Sequence, residues 1–225
     1  MVTEAPLSTP ATAVPTATPT AAPTAEAASG WPPPPFRELR TRRLVLRALS
    51  MSDAAAMHAV LSDPDSMRFW YHLPHGDMAE TEALLRDRRL PDHGYHRVWA
   101  ITTDGGEWLG DVTVYHNGGT PGLLWLGYLL KPSARGKGYA VEAAAAALDY
   151  GFEEWGAHRI EANLDPENAG SIAVLDRLGF HHEGIQRRNF LLGTDWKDTG
   201  IHGLLVEEWR AHRATVQRRL FERGA

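Results

Sequence analysis

A mixed α/β domain, with helices on both faces of a central and mostly antiparallel sheet, is predicted by three features of the sequence. Strand-length runs at 96–102, 108–115 and 122–130 follow one another across short glycine-bearing links, as antiparallel neighbours do. The third run, GLLWLGYLL, is apolar at both alternations, which suits a central strand covered on both sides. After it, Ala140, Ala144, Ala147, Leu148, Gly151, Phe152 and Trp155 fall on one face of a long helix.

Residues 1–35 precede the folded part, and 25 of these 35 are Ala, Pro or Thr. With Glu4 and Glu26 as the only charges, such a stretch buries too little apolar surface to offset its ordering entropy. A disordered tail is expected, stiffened toward polyproline II at Pro32–Pro35. Met1–Gly30 holds no Lys or Arg and no unbroken apolar stretch of the about 7 to 15 residues that an export signal needs. Cytoplasmic residence is therefore expected, with a single domain over 36–225.

Within that domain, Leu44 and Leu46 share a face of a first strand. Ser52 or Asp53 opens a helix through Leu61, as short polar residues do. Between Asp63 and Pro91 a short helix and a longer one, around Met78 to Arg89, are expected. Past the long helix, Ile160, Ala162 and Leu164 alternate with Arg159, Glu161 and Asn163 at strand period. Asp165-Pro166-Glu167 reads as the start of a helix that ends at Leu178, with Gly179 as a left-handed cap. Two strands, near 184–191 and 196–206, and a charged helix from Glu207 close the chain.

Composition excludes several functions. The 225 residues carry a formal charge of −5 and no cysteine. Disulfides, thiolate metal sites, iron–sulfur clusters and a thiol-linked intermediate are thereby ruled out. The longest apolar patch, Leu123–Leu130, is strand-sized, against the roughly 20 residues of a membrane helix, so no membrane association is expected. Mild acidity gives no support to a nucleic-acid binder. Eleven histidines include His72/His75, His93/His96 and His181/His182, none with the i, i+4 convergence of a zinc helix, and no metal is expected.

The sharpest local feature is Arg135-Gly136-Lys137-Gly138-Tyr139-Ala140, between the buried strand and the long helix. Glycines there permit tight backbone geometry and close approach of a ligand, while free N–H groups and the helix dipole attract an anion. The helix end supplies only about 0.3–1 kcal/mol, so converging N–H bonds must supply the rest. A pyrophosphate fits this turn; an ordinary glycine-rich strand-to-helix turn has the same residues. No Gly-Lys-Ser/Thr occurs, against a nucleotide P-loop, and Val141 stands where a dinucleotide fingerprint needs its third glycine.

Arg135-x-x-Gly138-x-Ala140 after a strand resembles the acetyl-CoA pyrophosphate motif of the Gcn5-related N-acetyltransferase (GNAT) superfamily. From Arg43 to Trp209 the chain is similar, in order, to the branch containing the ribosomal-protein N-terminal acetyltransferases. The matching pieces are Thr41-x-Arg43-Leu44-x-Leu46-Arg47, Gly127-Tyr128, Gly138-Tyr139-Ala140-x-Glu142-Ala143 and His158-Arg159-Ile160-Glu161-Ala162. They continue with Pro166-Glu167-Asn168-x-x-Ser171, Leu178-Gly179-Phe180-x-x-Glu183-Gly184 and Trp196-x-Asp198.

The resemblance implies a fold with a splayed strand pair and an acetyl-CoA-dependent transfer to a primary amine, on a protein N-terminus or a small molecule. It implies that Arg135, Gly136, Lys137, Gly138, Tyr139 and Ala140 hold the pyrophosphate. Leu129 and Leu130 would border the strand that pairs with the pantetheine amides, and Asn168 would bond the pantetheine arm. Ser171 would donate to the leaving thiolate. Alone, Asn168 also reads as a helix-start hydrogen-bonder and Ser171 as a small surface residue; their spacing of three puts both on one helix face. Trp70, Tyr71 and His72 fall in an early helical region that in this superfamily covers the acceptor, although core or lid packing would use them equally. Asp111 faces either the acceptor cleft or solvent. Arg187 and Arg188 suit a phosphate, an acidic acceptor or a solvated strand edge.

The chain departs from the superfamily pattern in places that bear on chemistry. Leu175 stands where many members carry a tyrosine acid, which leaves Ser171 as the acid. Leu123–Leu130 holds no carboxylate base. Asn189 replaces a glutamate before Phe190-Leu191, and His202 replaces a tyrosine. Attack on a thioester needs a neutral amine. Deprotonating a lysine at pH 7 costs about 4.6 kcal/mol, against roughly 1 kcal/mol for an α-amine. A site without an obvious base thus favours an α-amine or another amine of low pKa, attacking directly in a ternary complex. Two other readings share the same signals: a catalytically weak acyl-CoA-binding or sensing module, and an acyltransferase using a larger donor such as succinyl-CoA. Either a monomer or a homodimer is compatible with the sequence.

Overall fold

The computed structural model describes residues 31–89, 95–103, 106–117 and 119–222. The tail 1–30, the stretch 90–94 with His93, and parts of both glycine links lie outside them. The strands are β1 (Leu39–Arg40), β2 (Val45–Ala48), β3 (His96–Thr102), β4 (Trp108–Tyr115), β5 (Leu123–Leu130), β6 (Arg159–Leu164), β7 (His181–Leu192) and β8 (Asp195–Leu205). The helices are α1 (Ala54–Leu61), α2 (Pro64–Met67), α3 (Met78–Leu84), α4 (Tyr139–Asp149), α5 (Ala169–Leu178) and α6 (Val206–Glu222). All eight strands form one sheet in the order β1-β2-β3-β4-β5-β6-β8-β7. Among the described residues only β5 and β6 run parallel.

Alternation along the central strands sorts the side chains to two faces. Trp99, Ile101, Val112, Val114, Leu124 and Leu126 join a core with α4, α5 and α6. On the opposite face Val98, Ala100 and Leu129 join Met57, Val60, Leu61 and Met67 of α1 and α2. Small residues let α4 sit close to the sheet: Ala143, Ala144 and Ala147 are fully buried. The helix ends in a π-turn at Tyr150–Glu154, where a Cβ on Gly151 would stand 2.8 Å from Ile160 Cδ1.

The sheet opens in its middle. β5 and β6 pair only at Leu123–Arg159, Leu124–Ile160 and Trp125–Glu161. Beyond that, β5 stays with β4 as far as the Gly110–Leu130 pair, while β6 stays with β8 as far as Leu164–Gly200. A bulge in β4 accompanies the divergence, since the register against β3 shifts at Ile101/Thr102. Bulges bend and twist a strand. Here the bend requires Gly110, at φ 158°, because a Cβ would lie 2.0 Å from the Leu129 carbonyl oxygen.

Three expectations need correction. Residues 31–35, grouped with the tail on composition, pack on the domain: Trp31 lies 5.5 Å from Trp155, and Pro34 O accepts from Tyr150 Oη and Arg97 Nε. A low-complexity segment is anchored here by one indole and its own carbonyls. α5 begins at Ala169 with Asn168 as its cap, three residues later than Pro166 suggests, because Asp165 Oδ1 takes the Glu167 N–H in a local turn instead. Residues 68–72 are turns rather than helix. Their aromatic rings pack on one another, Trp70 stacked on Tyr71 at 5.1 Å and His72 edge-on to Tyr71 at 5.2 Å.

Candidate active site

The glycine turn closes off β5 and starts α4. Gly136 and Gly138 both take left-handed φ, 74° and 80°, and Gly138 is the residue before the helix. Nothing lies within 4 Å of a Cβ built on Gly136, so open space faces that backbone. Arg135 folds back, its Nε donating to Leu130 O at 3.1 Å, and Lys137 is exposed beside it.

A buried carboxylate holds this turn from below. Glu142, in the first turn of α4 and 4 % exposed, accepts from Thr41 Oγ1 at 2.6 Å and from Arg43 N at 2.9 Å and Nε at 2.6 Å. Arg43 in turn donates from Nη1 to Lys137 O at 3.0 Å and lies over the Tyr139 ring at 4.9 Å. The first strand and the glycine turn are one unit, although 94 residues separate Arg43 from Lys137.

Where β5 and β6 part, the β6-facing edge of β5 from Leu126 to Leu130 has no strand partner among the described residues. Leu129 and Leu130, both buried, lie on this stretch and face opposite cores. An extended amide-bearing chain could pair with that edge, and its phosphate end would meet the glycine turn. The donor set and the open space at Gly136 therefore fit a coenzyme A thioester.

The far wall is the start of α5. Asn168 caps the helix, its Oδ1 accepting from Ser171 N at 3.0 Å, so the helix-start role is real; the amide Nδ2 is not engaged by that bond. Ser171 is half-buried in the first turn. Tyr128 of β5 reaches across and donates its hydroxyl to Ser171 O at 3.2 Å. Burial pushes the Tyr128 phenol up to about 12, so it keeps its proton. Neither Tyr128 nor the Arg43–Glu142 pair was singled out as functional by sequence reasoning, although both lie in the motifs that carry the resemblance.

On the α1–α3 face, Asp111 is 1 % exposed, which removes the solvated alternative. It pairs across β4 with Ala100 and Leu129, and its alternation with buried Val112 on a sheet covered on both sides was the available signal. Trp70 Nε1, Trp108 Nε1 and Thr113 Oγ1 are buried without hydrogen-bond partners among the described residues. Tyr71 and Leu73 are exposed, and Leu73 meets the β7–β8 turn, 3.8 Å from a Cβ on Gly193. Asn189 is exposed in a break of the β7–β8 register, where Arg188 takes φ 47° and its N–H bonds Asp198 Oδ1. Asp198, the acid of Trp196-x-Asp198, thus holds this bulge. Asn189 donates from Nδ2 to Gln186 Oε1 on the same strand.

His202 is 3 % exposed on β8, 5.0 Å from the His182 ring; burial, and then His182, holds its pKa below the ordinary histidine value. No cluster of three His, Cys, Asp or Glu suited to a metal ion occurs among the described residues, and no helix there is long and apolar enough to cross a membrane.

Comparison with known proteins agrees with this geometry. Residues 43–181 match the family described as acetyltransferase (GNAT) domain. The uncharacterized N-acetyltransferase YnaD of Bacillus subtilis (strain 168) is 30% identical over 171 residues, 76% of this chain and 98% of that protein. The spermidine N(1)-acetyltransferase of Escherichia coli (strain K12) is 27% identical over 153 residues, 68% of this chain and 81% of that protein. Among solved structures, Mycobacterium smegmatis RimJ in complex with CoA-disulfide superposes with a TM-score of 0.68 at 28% identity, covering 84% of this chain and 97% of that one.

Proposed function

We propose, from the premise that the chain belongs to the GNAT acetyltransferase family and is an N-acetyltransferase using acetyl-CoA as co-substrate, that its acceptor is the α-amine of a polypeptide. The observation that carries this reading is the slot between β5 and β6, with a serine on one wall and no carboxylate along Leu123–Leu130 on the other.

In this reading the diphosphate lies on the turn Arg135–Ala140, and the pantetheine arm pairs with the open edge of β5 at Leu129 and Leu130. Asn168 Nδ2 donates to the arm. The neutral amine attacks the thioester carbon, a backbone N–H of β5 holds the oxyanion, and the C–S bond breaks. The thiolate takes the Ser171 hydroxyl proton, and the new ammonium passes its proton to water, which restores the serine through solvent. An α-amine suits a slot whose β5 wall carries no carboxylate because far more of it is neutral near pH 7.

The acceptor side supports a peptide over a polyamine. Trp70 Nε1, which has no hydrogen-bond partner among the described residues, can only donate, and a peptide offers carbonyl oxygens where a polyamine offers further donors. Tyr71, Asp111 and Asn189 complete the acceptor surface in this proposal. Domain bounds of 36–225 shift to include 31–35, and cytoplasmic residence remains part of the proposal.

The test is Ser171→Ala, followed by free-thiol release. Turnover is expected to fall by about 10²-fold, the lower range for a positioned acid, with acetyl-CoA affinity within twofold. Equal losses in both would make Ser171 a binding residue and refute its role as acid.

A further inference from the structure

Past Trp125 nothing in the sheet fixes the width of the slot, because β5 and β6 no longer pair. The wall bearing Ser171 is attached to β6 through residues 165–168, outside any strand. Two side chains nevertheless pin the Ser171 backbone. Asn168 Oδ1 accepts its N–H, and Tyr128 Oη donates to its carbonyl oxygen from the other side of the slot. Tyr128 stands three positions beyond the last β5–β6 pair, so its bond spans the divergence itself.

We infer that Tyr128 is a positioning residue, a strut that sets the distance of Ser171 from β5 and thereby from the thioester. The inference rests on the reading of Ser171 as the acid. The phenol does no proton transfer in this role: half-buried, and held in its protonated form by desolvation, it stays a donor throughout the pH range of the reaction. A carbonyl in the first turn of a helix has a second lone pair beyond its intrahelical bond, so the Tyr128 hydroxyl adds a contact without displacing one.

A double-mutant cycle tests it. Tyr128→Phe removes the hydroxyl and keeps the ring, and a melting curve first establishes that the variant is folded. In the otherwise unaltered protein, kcat is expected to fall about five- to tenfold, the rate equivalent of one neutral hydrogen bond, with KM for acetyl-CoA within twofold. In the Ser171→Ala background the same change should alter kcat by less than twofold, since the group it positions is gone. Equal fold losses in both backgrounds, or a loss confined to KM, would overturn the strut while leaving Ser171 as acid. If Ser171→Ala itself leaves kcat unaltered, the acid reading fails, and the strut with it.

Discussion

Glu142→Gln probes the link between the first strand and the glycine turn. The substitution keeps the side-chain volume and one oxygen that can accept from Thr41 Oγ1 and Arg43 N. It removes the charge that receives Arg43 Nε at 2.6 Å. Removing one member of a buried ion pair costs about 3–5 kcal/mol when the other stays buried. Arg43 keeps 28% of its side-chain exposure against 4% for Glu142, so water can meet part of the stranded guanidinium. The cost should fall to about 2–3 kcal/mol, the strength of one charge-assisted hydrogen bond. At roughly 2–4 °C per kcal/mol for a chain of this size, Tm should drop by about 4–12 °C.

Function should follow stability. Arg43 Nη1 holds Lys137 O, so a displaced guanidinium frees the turn proposed to receive the diphosphate. Calorimetric titration should show acetyl-CoA binding weakened about tenfold, or ~1.4 kcal/mol. The control is Glu153→Gln, which breaks the exposed pair with Arg210 and should change neither quantity measurably. A Glu142→Gln protein with Tm within about 1 °C of its parent and with unaltered binding would refute the coupling.

Two further substitutions separate cofactor binding from folding. Gly136→Ala forces a Cβ onto a left-handed residue, costing about 1–2 kcal/mol of stability, and projects it into the open space of the turn. Acetyl-CoA Kd should rise about tenfold with kcat at saturation within twofold, and an unaltered Kd would mean the turn does not meet the cofactor. His202 has its pKa lowered by burial and by His182, with Asp176 and Glu183 opposing. The unfolded chain therefore binds more protons, so this stability is present above about pH 6.5 and is lost as pH falls through the lowered native value. His202→Phe should flatten Tm against pH between about 7.5 and 5. An unaltered slope would show that other groups carry it.

Much of the sheet was legible because its periodicity is local. The runs 96–102 and 108–115 are strand-length stretches set off by glycine links, and the doubly apolar 123–130 did prove central. Gly179 caps α5 in the left-handed region, as its place after Leu178 suggests. What escaped depends on distant partners. Trp31 looks like part of a featureless tail until Trp155 and His116 stand beside it. Nothing near Glu142 in sequence explains its burial, which rests on Thr41 and on Arg43, 99 residues away. The bulge at Arg188 is fixed by Asp198 across the hairpin, which strand periodicity cannot show. In the candidate site, the turn proposed for the pyrophosphate was visible as glycines between a strand and a helix. The Tyr128 strut was not, because a tyrosine in an apolar strand usually reads as core.

The claim that most needs testing is the α-amine acceptor. Two peptides of one sequence, one with a free N-terminus and its lysine blocked, the other with the reverse, can be compared at pH 7 by free-thiol release from acetyl-CoA. Faster release with the free α-amine, by at least about tenfold given the ~3.6 kcal/mol difference in deprotonation cost, is the predicted result. Equal or faster acetylation of the lysine ε-amine would contradict it and would require a base that Leu123–Leu130 does not supply.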